Sequence, residues 1–173
     1  MRAGFFLLTL ILATLFFYDA RAFPDGAPWG AANPAAEQDC AACHFGVEPV
    51  LASDALLIDG LPKKLEAGVT YDLTITFENP RTVIAGFQLI AQADEQDVGT
   101  FTASADDVEF IGSSVRSIAP LRMSGRAVWE IQWHVPEKIC GPIDFYVAAS
   151  AANDDGSPFG DTIHFRSYQL STD

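Results

Sequence analysis

The sequence predicts an all-β fold, an immunoglobulin-like antiparallel β-sandwich of seven or eight strands that follows an irregular N-terminal segment. Short runs in which apolar and polar residues alternate indicate strands with one buried face. Turn-forming residues separate these runs at short intervals, and no amphipathic stretch is long enough to indicate a helix.

The N-terminus has the features of an export signal. Arg2 gives a positive start, residues 5–17 form an apolar run, and residues 20–22 (Ala-Arg-Ala) match a small-residue cleavage pattern. The apolar run is too short to cross a bilayer. We therefore expect a signal peptide over residues 1–22 and a mature chain that begins at Phe23. That chain should have no membrane span and should be periplasmic or extracellular.

The next segment, residues 23–52, is predicted to be irregular. It is rich in Ala, Pro and Gly, and its four prolines interrupt any helix. It shows no two-residue alternation that would indicate a strand. We expect this segment to precede the sandwich domain and to present the cysteine motif described below.

Strands are predicted within the sandwich domain, residues 53–173. The clearest are residues 71–78 and 128–135, in which every second residue is apolar and which prolines follow. The side chains that these two runs should bury are Tyr71, Leu73, Ile75, Phe77, Trp129, Ile131 and Trp133. The other predicted strands are 56–61, 85–92, 100–103, 115–118, 143–149 and 162–170.

The charge balance excludes one class of partner. Ten basic and 23 acidic side chains give a net charge of −13, and removal of residues 1–22 takes away two Arg and one Asp, which makes it −14. Nucleic acid binding needs a basic surface, so we expect no nucleic acid partner. A protein partner with a basic surface is favoured instead.

The most informative motif is C-x-x-C-H, formed by Cys40, Cys43 and His44. In an exported protein this pattern is typical of c-type haem attachment. Two thiols at this spacing can reach the two vinyl groups of one porphyrin, and the adjacent histidine can then ligate the iron. The sequence therefore predicts one covalent haem c, with Cys40 and Cys43 as thioethers and His44 as the proximal iron ligand.

Two other interpretations of the cysteines stay open. Cys40 and Cys43 could form a disulfide with each other, or either could pair with Cys140. A redox-active CxxC is a further option, although the βαβ pattern of a thioredoxin-like fold is missing. If haem is attached, Cys140 remains, and we expect it to be a buried free thiol.

The chain resembles one group of bacterial exported domains, the reelin-like (Reeler-related) domains known as choice-of-anchor V. The resemblance depends on the order and spacing of short pieces across nearly the whole mature chain. These pieces are residues 40–44 (CAACH), 58–62 (IDGLP), 67–71 (AGVTY), 86–89 (GFQL), Trp129, Trp133, Pro136, 141–142 (GP), 145–149 (FYVAA), 153–157 (NDDGS) and 160–161 (GD). The resemblance implies a sandwich with covalent haem at one end and implies no substrate.

The sixth iron ligand is predicted from a short set of candidates. Relatives commonly carry a histidine shortly before the first of the paired tryptophans, and this chain has Met123 in that stretch instead. Met123 lies between turn formers, and a thioether paired with a histidine is a recurring cytochrome arrangement. His164 and His134 are the other candidates, and both are expected on the outer faces of their strands. An open or water-bound position is the remaining alternative.

Residues 153–161 form an acidic loop between the last two strands. Carboxylates at this density can bind calcium, but the loop lacks the ligand order of an EF-hand, and Asn, Asp and Gly are also what a hairpin connection requires. We therefore favour a turn. No catalytic Ser-His-Asp order, phosphate-binding glycine loop or HExxH motif is present, so nothing supports a hydrolase.

These observations predict an exported monohaem c-type cytochrome-like domain that transfers electrons to a redox partner with a basic surface. The alternative is a haem-free extracellular adhesion or interaction module whose cysteines form structural disulfides. An enzymatic role is less favoured than an electron carrier or a binding module.

Overall fold

The computed structural model describes residues 27–103 and 106–171. The predicted signal peptide, residues 1–22, lies outside the described part of the chain. Within that part, no helix has the length and apolar character needed to cross a membrane.

The described residues form two antiparallel sheets packed as a sandwich, which confirms the predicted fold class. The strands are β1 (Leu56–Asp59), β2 (Thr70–Glu78), β3 (Ile84–Ala93), β4 (Gln96–Asp97), β5 (Thr100–Thr102), β6 (Val108–Ile111), β7 (Ser114–Ser117), β8 (Leu121–Arg122), β9 (Arg126–His134), β10 (Ile143–Ala152) and β11 (Thr162–Leu170). All eight predicted strands are present. The expected total of seven or eight is too low, because the short strands β4, β6 and β8 have too few residues to show alternation.

The two sheets differ in size. The smaller sheet has the order β1-β2-β9-β5, and the larger has the order β11-β10-β3-β7-β6, with β4 and β8 also paired to β3. Every pair of strands is antiparallel, and long registers such as Ile75 opposite Trp129 and Val147 opposite Leu89 hold the central strands together.

The main core lies between the sheets. Trp129, Ile131 and Trp133 alternate inward along β9 with exposed fractions of 2%, 3% and 0%, as their spacing predicts. The predicted face of β2 is buried as well, with Leu73, Ile75 and Phe77 inside and Tyr71 partly buried. Burial of these large side chains removes apolar surface from water and is the main stabilising contribution of the sandwich.

The larger sheet is buried on both faces. Its outer face carries Ile90, Ala148, Ile163 and Phe165, which form a second apolar cluster with Ala32 of the N-terminal segment. Residues 27–55 therefore cover this face in turns and one short 3₁₀ helix. The cover leaves a cleft, which is the candidate site.

Because the larger sheet is buried on both faces, the predicted orientation of His164 is wrong. His164 was expected on the outer face of β11, but it points into the core side, is only 7% exposed and lies edge-on to Phe77 with ring centroids 4.9 Å apart. Ile163 and Phe165 occupy the outer face instead, because the N-terminal segment buries them there. Alternation fixes which residues share a face, and it cannot show which face is covered by another part of the chain.

Candidate functional site

The candidate site is a cleft between the N-terminal segment and the outer face of the larger sheet, with a volume of about 850 Å³. That volume lies within the range of roughly 300–1,000 Å³ that is usual for ligand and cofactor sites. The apolar residues in its lining include Ile84, Ile118, Pro120, Ala148 and Ile163. Cys40, Cys43 and His44 line the same cleft.

A tight turn presents the C-x-x-C-H motif. Cys40–Ala42 form a 3₁₀ helix whose N-cap is Asp39, and the Asp39 carboxylate accepts a hydrogen bond from the Ala42 amide at 3.0 Å. The His44 amide donates to the Cys40 carbonyl at 3.4 Å, which closes the next turn. Aspartate before the motif thus stabilises the local conformation that brings both thiols and the imidazole to one side.

Gln88 anchors the N-terminal segment to the sheet beside the motif. This side chain is 2% exposed; its Oε1 accepts from the Ala32 amide at 3.1 Å and its Nε2 donates to the Pro28 carbonyl at 2.9 Å. Both backbone groups therefore have partners although they lie against an apolar face.

A second polar side chain, that of Arg116, holds the beginning of the described N-terminal segment. Arg116 donates to the Ala27 carbonyl and to Glu109, and its guanidinium lies 4.3 Å from the centre of the Trp29 ring. Arg116 is also the single basic residue among the described residues of the cleft lining. The segment is thus held to the sheet at both Gln88 and Arg116.

His44 is oriented by a buried carboxylate. Its Nδ1 lies 2.8 Å from Oδ2 of Asp161, whose side chain is 4% exposed, while the His44 side chain is 26% exposed. The two residues are 117 positions apart, so their spacing could not predict the contact. In the sequence, Asp161 suggests only a possible calcium ligand in the acidic loop.

Paired backbone hydrogen bonds hold the chain next to His44 beside the chain next to Asp161. The Phe45 amide donates to the Pro158 carbonyl at 3.2 Å, and the Gly160 amide donates to the Phe45 carbonyl at 3.1 Å. The Phe45 and Phe159 rings pack edge-on, with centroids 4.2 Å apart. The contact between His44 and Asp161 therefore lies between two segments whose separation the backbone fixes.

The thiols are unpaired in the structure. Cys40 and Cys43 are partly buried and free, and burial, assisted by the negative charge of Asp39, raises the pKa of Cys40 to about 12. Redox-active CxxC motifs depend on a lowered thiol pKa, so the environment of Cys40 argues against that interpretation. Cys140 is exposed, and the expectation of a buried thiol is wrong, because this residue lies in the turn before β10.

The residues of the cleft fit a covalent haem. Both thiols and His44 line one cavity, its walls are largely apolar, and Nε2 of His44 has no hydrogen-bond partner among the described residues. In a ligating histidine the N–H of the other ring nitrogen typically donates a hydrogen bond to a carboxylate or carbonyl, as the contact with Asp161 allows.

The three candidates for the sixth ligand lie elsewhere. Met123 is 7% exposed in the core between the sheets, where it fills space, and His164 is bonded through Nδ1 to the Ser53 hydroxyl at 2.8 Å. His134 is exposed at the end of β9, with its Nδ1 3.0 Å from the Thr70 hydroxyl. None of them lines the cleft, because Met123 and His164 are on the core side of the larger sheet and His134 is on the other sheet.

The acidic loop folds as a chain of local turns. Asn153 accepts from the Asp155 amide at 3.0 Å, Asp155 accepts from the Ser157 amide at 2.8 Å, and Ser157 accepts from the Phe159 amide at 3.1 Å. The Ser157 amide and the side-chain amide of Asn153 donate to the Asp155 carboxylate and lower its pKa. No cluster of three or more potential metal-ligating side chains occurs in the described part of the chain. The geometry is that of the favoured turn.

Comparison with known proteins supports the fold. The chain is 22% identical to the Reelin-N domain of F-spondin, with a TM-score of 0.54 over 74% of this chain and 92% of that one. It is 20% identical to the human F-spondin reeler domain, with a TM-score of 0.52 over 74% of this chain and 95% of that one. Neither the protein-family models nor the curated proteins that were searched contain a match. The architecture is therefore a reeler-like β-sandwich.

Proposed function

We propose that the chain is an exported binding module of the reeler-like type, and that it holds one covalent haem c in the cleft beside the C-x-x-C-H motif. The observation that carries the proposal is the placement of Cys40, Cys43 and His44 on one cavity, with His44 held by the buried carboxylate of Asp161. Export is inferred from the N-terminal sequence, which matches a cleavable signal.

Each residue has a distinct part in this proposal. Cys40 and Cys43 would hold the haem through thioether bonds, and Nε2 of His44 would be the iron ligand. Asp39 stabilises the turn that presents them, and the apolar walls of the cleft restrict water. When bound, the haem supplies an iron centre that can take up and release one electron.

The two parts of the proposal have different support. The similarity in fold to F-spondin reeler domains favours a binding or interaction module over an electron carrier. The motif and its cleft favour the haem. Electron transfer is the second candidate role, and it depends entirely on the haem being attached.

The deciding experiment is maturation of the full chain in a bacterium that carries the periplasmic c-type attachment machinery. We expect a mature protein that begins at Phe23, an intact mass increased by one haem, and a c-type pyridine haemochrome spectrum. Cys40→Ser with Cys43→Ser should abolish the mass increase, whereas Cys140→Ser should not change it, because Cys140 lies outside the cleft lining.

One result would overturn the haem assignment. A haem-free mature chain, from cells that mature a control cytochrome c, would leave a binding module whose cysteines are thiols or a disulfide. A chain that stays in the cytoplasm with residues 1–22 attached would overturn the export assignment instead.

A further inference from the structure

Asp161 is an unusual residue because it is a carboxylate buried at the wall of the cleft. It is 4% exposed and its Oδ2 contacts Nδ1 of His44, while its Oδ1 has no hydrogen-bond partner in the part of the chain that the structure describes. Burial of a carboxylate costs free energy unless it is paired. Among the described residues, the side-chain partner of this carboxylate is the ring of His44, which partly offsets that cost.

We infer that Asp161 is a positioning residue that fixes both the tautomer and the direction of the His44 ring. The iron-ligand part of this inference rests on the proposed function, whereas the tautomer itself is a property of the haem-free protein.

The chemistry of the pair sets the tautomer. An ionised carboxylate can only accept hydrogen bonds, so Nδ1 of His44 must carry the proton that it donates to Asp161 at 2.8 Å. In a neutral imidazole the other nitrogen, Nε2, then has the free lone pair. His44 lines the cleft, and its Nε2 is therefore available to a metal without a change of tautomer.

The backbone makes this arrangement rigid. The reciprocal bonds of Phe45 with Pro158 and Gly160 lie next to His44 on one segment and next to Asp161 on the other. A carboxylate bonded to a ligating imidazole makes the ring a stronger electron donor. With haem attached, Asp161 should therefore stabilise the ferric form and lower the reduction potential of the iron.

The first test uses the haem-free, reduced full chain and ¹⁵N NMR of the His44 ring. In the wild type we expect a protonated Nδ1 and an unprotonated Nε2. In Asp161→Ala we expect the proton to move mainly to Nε2, as in a free imidazole. A wild-type ring protonated at Nε2, or one unchanged by Asp161→Ala in a folded protein, would overturn the inference.

Asp161→Asn covers the case in which the alanine variant does not fold, because it has the same shape and keeps an acceptor for Nδ1. Applied to the haem-loaded protein, it should raise the reduction potential and lower the frequency of the iron–histidine stretch in resonance Raman spectra, because the ring becomes a weaker donor. Glu130→Gln on β9 removes one charge at an exposed site on the other sheet and serves as the control. Equal shifts in both variants would show a general charge effect and contradict the positioning role.

The two hypotheses fail in different ways. If the wild type matures without haem, the proposed haem site fails, and the NMR result still decides the tautomer. If haem is attached and Asp161→Asn changes neither the potential nor the Raman band, the haem site stands and the positioning role fails.

Discussion

His164 couples the stability of this protein to pH through a single buried side chain. Its Nδ1 is 2.8 Å from the Ser53 hydroxyl, its ring packs on Phe77, and burial lowers its pKa from the ordinary value of 6.5. Arg166, two residues along the strand, is paired with Asp54. The core thus holds the imidazole in its neutral form.

We predict that the free energy of unfolding falls as the pH drops below about 6.5. Above that pH the ring is neutral in both states, so the full stability is present. Below it the unfolded chain binds a proton that the folded chain binds only at lower pH, and the folded state loses stability. Urea denaturation at several pH values between 7.5 and 5 measures this loss.

Two variants isolate the contribution of His164 to that slope. His164→Gln should flatten the pH dependence over this interval, whereas His134→Gln should leave it unchanged because His134 is exposed on β9. A slope that persists in His164→Gln would assign the dependence to other groups.

Gln88 is a second residue whose substitution should lower stability strongly, because its side chain bonds the N-terminal segment to the larger sheet. We predict that Gln88→Leu costs about 1–3 kcal/mol of stability, because it leaves the buried Ala32 amide without a partner and leaves the Pro28 carbonyl with only the Ala31 amide. Gln132→Leu makes the same chemical change at an exposed bond to Asp72 and should cost much less. Equal urea midpoints for the two variants would contradict the anchoring role.

At the scale of elements, alternation predicts the long strands well. Their cores were identifiable because every second residue of β2 and β9 is buried. The reversed face of β11 could not be found in the same way, since the N-terminal segment that covers it has no periodic pattern. Strand β4 is too short to show alternation, and the composition of the turn before it gives no hairpin signal either.

The turn between β3 and β4 consists of Asp94 and Glu95, both with positive φ, at 49° and 62°. Such turns favour Asn and Gly, so this pair gives no hairpin signal in the sequence. We predict that Glu95→Gly stabilises the protein by about 0.5–1 kcal/mol, because relief of left-handed strain exceeds the entropy cost of glycine. Asp97→Gly in β4 should destabilise it. A lower thermal midpoint for Glu95→Gly would contradict the strain argument.

The candidate site was only partly predictable for a related reason. The C-x-x-C-H motif is local, so its residues could be named from the sequence and the structure places them on one cavity. The Asp161 contact and the position of Met123 depend on how distant segments pack. Pairing across more than a hundred residues leaves no trace in composition or spacing.

At the scale of the whole molecule, charge is the dominant property. The net charge is −13, and the described residues of the cleft lining include four Asp, one Arg and no Glu or Lys. A negative field of this kind attracts cations and repels anions, and dissolved salt screens it. We therefore expect that any protein that binds at the cleft has a basic surface.

The reactivity of a thiol in the cleft can test this field without haem. In a chain with Cys40→Ser and Cys140→Ser, only Cys43 remains to react with methanethiosulfonate reagents of opposite charge. We predict that the trimethylammonium reagent slows and the sulfonate reagent speeds up as salt rises, since the Debye length shrinks from about 10 Å at 0.1 M to about 3 Å at 1 M. Because each reagent is compared with itself, differences in intrinsic reactivity cancel.

A chain that keeps only Cys140 reports on a turn outside the cleft lining and is the control. If neither rate at Cys43 depends on salt, the acidic surface does not act on the cleft, and the expectation of a basic partner fails with it.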